Sequence, residues 1–307
     1  MSLFCQAAVC LLLTLPAVAQ PQSFATITIK PARSSDARNA RKQVRPNGDL
    51  IASAVPVIRL LSYAYDVPVN PSPRLSRLPE WTLRETYDIE AKAVANAIPP
   101  GLQDREVRSR IKQMIRGLLT DRFRLMMRTE NKTMSIYALT VASGGPKLQK
   151  SAIAEKDCSF DTGQQACHDF VNGLGHPLNA KAIDMDDVAN YISNWTDLPV
   201  VNRTALNGLF TVNTEGWVPM RLPPPPPNST PDANAFAGAP TMFSVLGKLG
   251  LELKRQEDTC RYTRWSASSG RQPTDDNVPL PATQAASSPS PSLFLDCALS
   301  ESLCFAT

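Results

Sequence analysis

Tyr87-Asp88-Ile89-Glu90-Ala91-Lys92-Ala93 alternates apolar and polar residues at period two, the signature of a strand with one face buried. Upstream, Val57, Ile58, Leu61 and Tyr65 recur at helical spacing. Downstream, Val107, Ile111, Met114, Ile115, Leu118 and Leu119 do the same. The stretch from Ala54 to Arg128 therefore reads helix, short strand, Asp-marked strand, second helix, strand. The order recurs from Asp184 to Lys254: Met185, Val188, Ala189 and Ile192 form a stripe, Leu209-Phe210-Thr211-Val212-Asn213 a strand, and Met242, Val245, Leu246 and Leu249 a second helix. Repetition of such a unit predicts an α+β protein of two tandem βαββαβ-like units with mixed or antiparallel sheets, a scaffold suited to binding. Leu118 and Leu246 are expected in its core, Glu90 and Asp187 at its surface.

The chain has 307 residues, 43% of them hydrophobic, enough for a packed core. A net charge of +4 is too weak to make nucleic acid the expected partner. The run from Ala7 to Ala19 ends Ala17-Val18-Ala19, a form that a signal peptidase accepts, and it is short for a membrane span. Residues 1–19 are therefore expected to be a signal peptide and the mature chain to be exported, periplasmic or extracellular, without a membrane span. Seven cysteines less Cys5 and Cys10 of the leader leave an odd number. In an oxidising compartment Cys158 and Cys167 are the expected disulfide, Cys297 with Cys304 a second pair, and Cys260 the remainder.

The expected layout is a first α+β unit over residues 20–150, a disulfide-containing loop over 151–180, a second unit over 181–278 with a Pro-rich insertion at 218–240, and a disordered tail over 279–307. Pro223 to Pro227 are consecutive, stiff polyproline rather than core. Phe24-Ala25-Thr26-Ile27-Thr28-Ile29-Lys30 reads as a strand. The helix from Asp104 to Thr120 carries Arg105, Arg108, Arg110, Lys112 and Arg116 off its apolar stripe, expected to be a solvated basic face. Asp121 to Leu125, the turn-like pair Asn131-Lys132 and Ser135 to Val141 read as a β-hairpin closing the first unit.

Several stretches resemble a large family of exported proteins of unknown function from acidobacterial-type soil bacteria, some of them fused to membrane metallopeptidases of the antibiotic-sensor type. They are Ile27-Thr28-Ile29-Lys30-Pro31, Leu60 to Tyr65, Trp81 followed by Tyr87 to Ala93, Leu118 to Leu125, Tyr137-Ala138-Leu139, Gly145-Pro146-Lys147-Leu148, Leu198 to Thr204, Gly208-Leu209-Phe210, and Leu249 to Leu253. The resemblance spans about Phe24 to Asn277, implies export, and assigns no catalytic residue. Two departures are Asn202, where that family usually has Asp, and Cys260 to Gly270, poorer in apolar alternation than that family's last strand. The order helix, Pro199-Val200-Val201, Gly208 to Asn213, helix is also similar to the βαββαβ modules of secretins and TonB-dependent receptors.

Catalytic patterns are scarce. No nucleophile elbow, zincin helix, phosphate loop or dinucleotide fingerprint is present. Cys158, Cys167, His168 and His176 are zinc-ligand types, but their spacing matches no compact finger, and His168 next to Cys167 is not thereby placed to activate a thiolate. Asp184, Asp186 and Asp187 lack the rest of a calcium loop and are explained as a helix cap, with Asp184 at its head. Trp81, Trp195, Trp217 and Trp265 are scattered as core or loop anchors are. No catalytic, cofactor-binding or metal-ligating residue is assigned, and no cofactor. The expected function is a non-enzymatic module binding an envelope protein or an extracellular polymer through sheet edges or the basic helix face. The alternative is a hydrolase of cell-wall or extracellular polymer using carboxylates such as Asp88 and Glu90.

Overall fold

A computed structural model describes residues 22–33, 40–68, 74–76, 78–160, 167–170, 176–220 and 237–265. The expected leader, the consecutive prolines, and the tail with Cys297 and Cys304 lie outside these residues. In chain order the strands are β1 (Phe24–Pro31), β2 (Arg41–Val44), β3 (Leu50–Pro56), β4 (Leu75–Ser76), β5 (Thr86–Ala93), β6 (Met127–Val141), β7 (Gln149–Lys150), β8 (Asn179–Ile183), β9 (Val200–Asn202), β10 (Phe210–Asn213) and β11 (Leu251–Trp265). The helices are α1 (Val57–Tyr65), α2 (Trp81–Arg84), α3 (Asp104–Phe123), α4 (Met185–Ile192) and α5 (Met242–Lys248). The protein is α+β, with antiparallel and mixed sheets.

The first half is an antiparallel sheet ordered β1-β5-β3-β2. The alternation that marks β5 places Tyr87, Ile89 and Ala91 in the core and leaves Glu90 exposed. Against this face pack Leu60 and Leu61 of α1 and Ile111, Ile115, Leu118 and Leu119 of α3. A bulge in β3 puts Ala54 at φ 51°, and Asp88 repairs the lost pairing by accepting from Ala54 N at 2.8 Å and Ser53 Oγ at 3.1 Å. Asp88 thus has a structural task at the bulge.

The second half holds the sheet β7-β10-β8 and its own core, in which Val188 and Ile192 of α4 and Val245 and Leu246 of α5 meet the fully buried Trp217. A third sheet, β4-β11-β6-β9, joins the halves. Its centre is the antiparallel pair β6–β11, in register without interruption from Met127↔Trp265 to Val141↔Leu251.

This pair overturns the expected local hairpin. Asp121 to Phe123 is the last turn of α3, which ends at Arg124 in the left-handed region with its N–H on Leu119 O. Asn131 and Lys132 lie inside one strand of 15 residues. They look turn-like because the ribbon leaves Arg128 to Thr133 exposed, so no apolar alternation marks it. After Cys260 the pattern is weak because the next buried position, Thr263, is polar, and β11 nevertheless runs on to Trp265.

At the far end of the ribbon two of the motif glycines meet. Lys147 N donates to Leu249 O and Ala142 N to Gly250 O, at 2.8 and 2.9 Å. Gly250 has φ 71°, and a Cβ there would lie 2.1 Å from the Gly145 carbonyl oxygen, so only glycine permits the crossing. Among the described residues no helix is long and apolar enough to cross a membrane.

Candidate functional site

The basic residues of helix α3 are committed to partners within the protein, Arg105 and Arg108 to the second half and Lys112 and Arg116 to α1, which corrects the expected solvated face. Gln103 and Glu106 form a capping box at its start. In its first turn, Arg105 Nε bonds Glu155 at 2.6 Å and its Nη2 bonds Asp184, the head of α4. Arg108 Nε pairs with the buried Asp104 at 2.5 Å, and its Nη2 donates to the Cys167 carbonyl at 2.8 Å. Further along, Lys112 pairs with Asp66 at 2.5 Å and Arg116 Nε donates to Ala64 O at 2.7 Å, both binding α3 to α1. Only their partners, distant in sequence, distinguish these arginines from a solvated row.

The loop that receives Arg105 and Arg108 is closed by the Cys158–Cys167 disulfide. Both sulfurs sit in a small apolar cluster with Ala182 and Leu209. Neither is therefore available as a zinc thiolate or a nucleophile. The bond presents His168 at φ 57°, with its N–H on Ala182 O. Its imidazole, only 5% exposed, lies between two carboxylates: Nδ1 is 2.7 Å from Asp187 Oδ2 and Nε2 is 3.1 Å from Glu155 Oε1. His176 goes elsewhere and stacks on Trp195 at 3.5 Å.

Asp184 caps α4 as expected, accepting from Asp187 N at 2.8 Å, while Asp187 returns the bond from Asp184 N at 3.0 Å. Asp187 is thus half-buried and committed twice, against the expected exposed position. Burial works to lower the His168 pKa, but the hydrogen bond and charge of Asp187, with Glu155 behind, outweigh it and hold the imidazole above its ordinary value. Burial, with Asp184 alongside, pushes Asp187 up while His168 pulls it back. Burial also opposes ionisation of Glu155 and Asp184, yet their donors hold both below the usual carboxylate range: Arg105 and His168 for Glu155, Asp187 N–H and Arg105 for Asp184.

Around this latch the halves enclose a groove. A cleft of about 730 Å³ is lined by Tyr63, Phe160, Phe170 and Tyr191, together with Asn190 and Lys42. Phe170 stacks on Tyr191 at 4.2 Å. Lys42, on the edge strand β2, is exposed as a whole residue, but its Nζ turns inward to lie 3.2 Å from the Tyr63 ring centroid. Desolvation at that position lowers its pKa to about 7, with Asp169 opposing and Arg108 and Lys112 adding to the fall. A second cleft of about 550 Å³ shares Asp66, Lys112, Asp187 and Asn190 with the first. A third, of about 290 Å³, shares Arg105, Asp184, Asp186 and Asn202 with the second. The three lie beside one another at α4, each sharing walls with the next.

Neither Asp88 nor Glu90 lines any of these clefts. The His168, Asp184 and Asp187 ligand atoms lie within 4.8 Å of one another, as a cation site would require. Asp184 Oδ1 and Oδ2 and Asp187 Oδ2, however, already accept from the cap, from Arg105 and from His168. Asn202 donates to Asp186 at 3.0 Å while its Oδ1 accepts from Thr204 N and Oγ1. An aspartate at this position would keep the Thr204 bonds and repel Asp186. Trp217 and Trp81 serve the cores, the latter against Phe123. His168, Asp187 and Lys42 were not singled out as a site by local sequence, since no short-range spacing links them.

No curated protein and no solved structure matches the chain. The model of DUF3738, a family of proteins of unknown function, matches residues 58–263, from α1 through nearly all of β11, and the chain belongs to that family.

Proposed function

We propose that the protein is an exported, non-enzymatic binding module whose groove between the halves takes an extended segment of an extracellular polymer. The observation that supports this reading is the adjacency of the three clefts, each sharing walls with the next, which suits an extended segment better than a compact one. A compact small molecule is ordinarily held in one enclosed cavity. A row of clefts whose walls include the rings of Phe160, Phe170 and Tyr191 and the amide groups of Asn190 and Asn194 suits the mixed apolar and hydroxyl surface of a sugar chain. The carboxylates that a hydrolase would use are committed to Arg105, His168 or backbone donors.

Calorimetric titration with glycan oligomers of increasing length tests this. Affinity should rise with length until the groove is filled, with no new reducing ends on prolonged incubation. Equal affinity for a monosaccharide and its oligomers would sink the reading, and steady release of reducing ends would replace it with hydrolysis. Export is tested by N-terminal sequencing of secreted material, expected to begin at or near Gln20.

A second reading rests on β1. Among the described residues it is an end strand of its sheet, the position at which a strand from an envelope protein could add. A pull-down from an envelope fraction that depends on this edge, and not on the groove, would favour it.

A further inference from the structure

We infer that His168 is a proton-operated latch: the doubly protonated ring clamps the turn Glu155–Asp157 and the segment around Cys167 onto α4, and loss of its Nε2 proton frees the turn and loosens the Phe170 wall of the first cleft. The inference concerns the fold and is independent of what the clefts take.

Each ring nitrogen faces a carboxylate oxygen, Nδ1 that of Asp187 at 2.7 Å and Nε2 that of Glu155 at 3.1 Å. A neutral imidazole carries one N–H and one lone pair, so only the imidazolium donates to both. Once one proton leaves, one of the two contacts sets a nitrogen lone pair against a carboxylate oxygen. The two sides are not equivalent. Asp187 is the nearer and the less exposed, and it is fixed in the capping box of α4. Its charge is less screened by water, so it keeps the proton on Nδ1. Glu155 lies in a turn of three residues and retains Arg105 as a donor at 2.6 Å when the ring lets go.

The charged groups around the ring come from three elements: Glu155 from the turn, Asp184 and Asp187 from α4, and Arg105 from α3. Strand β8 meets this segment through the Ala182 carbonyl, which accepts from His168 N at 2.8 Å. Burial and Arg105 work against the second proton, and Asp187 with Glu155 outweighs them. The latch is therefore closed below the ordinary value of 6.5 and opens as pH rises through the higher folded value. Its opening reaches the cleft along the chain. Cys158, directly after the turn, is bonded to Cys167, and Phe170 stacks on Tyr191 at 4.2 Å where both line the first cleft. The Arg105–Asp184 and Arg108–Cys167 bonds do not pass through the ring, so the halves stay joined while the wall loosens.

The test is an NMR titration of the full mature chain between about pH 5 and pH 9. Ring nitrogen shifts should show an imidazolium at the acid end and, at the alkaline end, a neutral ring with its proton on Nδ1. Over the same range the amide of Cys158, whose N–H is on Glu155 O, should lose protection by about threefold or more once intrinsic exchange is divided out. In Glu155→Gln the side-chain amide accepts from a protonated Nε2 and donates to a bare one. His168 should then still titrate, at lower pH, while Cys158 protection no longer follows it, a split that a merely structural histidine would not produce. A ring neutral throughout, a neutral form protonated on Nε2, or Cys158 protection that ignores the titration would each overturn the inference. So would a Glu155→Gln variant whose Cys158 protection follows His168 as in the wild type.

Discussion

Arg108 Nη2 donates to the carbonyl oxygen of Cys167 at 2.8 Å, across 59 positions of sequence. One guanidinium thereby ties the helix of the first core to the disulfide that shapes the loop of the second. The bond acts on the backbone, so it fixes where the loop lies while the disulfide fixes how it is closed. Together they place His168 against Asp187.

The disulfide should therefore stabilise more than its own loop. Closing a loop of 9 residues' separation removes denatured-state freedom worth about 2–3 kcal/mol in the chain-entropy model. The Cys158→Ser/Cys167→Ser variant should lose about that much in a denaturant melt. In addition, the imidazole of His168 should titrate nearer 6.5 by NMR, because a loosened loop no longer holds it between two carboxylates. A variant that melts earlier with His168 unchanged would show that the bond and the latch are independent.

The latch also gives a pH window. His168 is raised in the folded state, so its stabilisation is complete below its unfolded value of 6.5 and is lost as pH rises through its higher folded value. Glu155 and Asp184 are lowered, so theirs is present above the ordinary 4.5 and 3.8 and is lost as pH falls through their folded values. Stability should peak between these limits and decline on both sides. In His168→Gln the decline on the alkaline side should flatten while the acid limb persists, as measured by melting temperature across pH.

The parts of the fold legible in the sequence are those where one face is buried locally. The stripe Val57, Ile58, Leu61 marks α1, the alternation around Ile89 marks β5, and Asp184 announces α4, because each pattern is set by neighbours three or four residues away or by the strand's own pleat. The ribbon β6–β11 was hidden because its middle buries little, and a strand without a buried face has no period. The site was hidden for a related reason. Arg105 and Asp184 are 79 positions apart, and nothing local distinguishes a cation that will find a partner from one that stays in water. Of the site, the sequence disclosed the disulfide and the cap, both short-range, and not the latch they assemble.

Gly250 should be intolerant of any side chain. Its φ of 71° strains an L-residue by about 1–2 kcal/mol, and a Cβ would collide with the Gly145 carbonyl, a backbone atom that has Lys147 N–H on Leu249 O close by and cannot swing aside. Gly250→Ala should cost at least about 3 kcal/mol or fail to fold. Gly145→Ala, where φ is 79° but a Cβ meets nothing within 4 Å, should cost only the conformational strain of about 1–2 kcal/mol. Equal melts for the two variants would mean that the crossing of β6 and β11 is looser than drawn.

Leu118 of α3 and Leu246 of α5 belong to different cores, and each is almost wholly buried, at 1% and 0% exposure. Truncating either to alanine should cost about 2–5 kcal/mol. Glu90→Ala, at an exposed position of β5, should cost under about 1 kcal/mol. Asp187→Ala should cost about 1–3 kcal/mol, because it strips a buried imidazole of its partner and a helix of half its capping box. The two leucines further test whether the halves unfold together. They share the ribbon from Met127↔Trp265 to Val141↔Leu251 and the Arg105 and Arg108 bonds, so damage to one core removes the docking surface of the other. Hydrogen exchange on Leu246→Ala should therefore show faster exchange at Ile89 and Ile111 of the first core, in a single transition with the second. If those amides keep wild-type protection while α5 opens, the halves are independent and the groove between them is only as rigid as the Arg105–Glu155–His168 contacts make it.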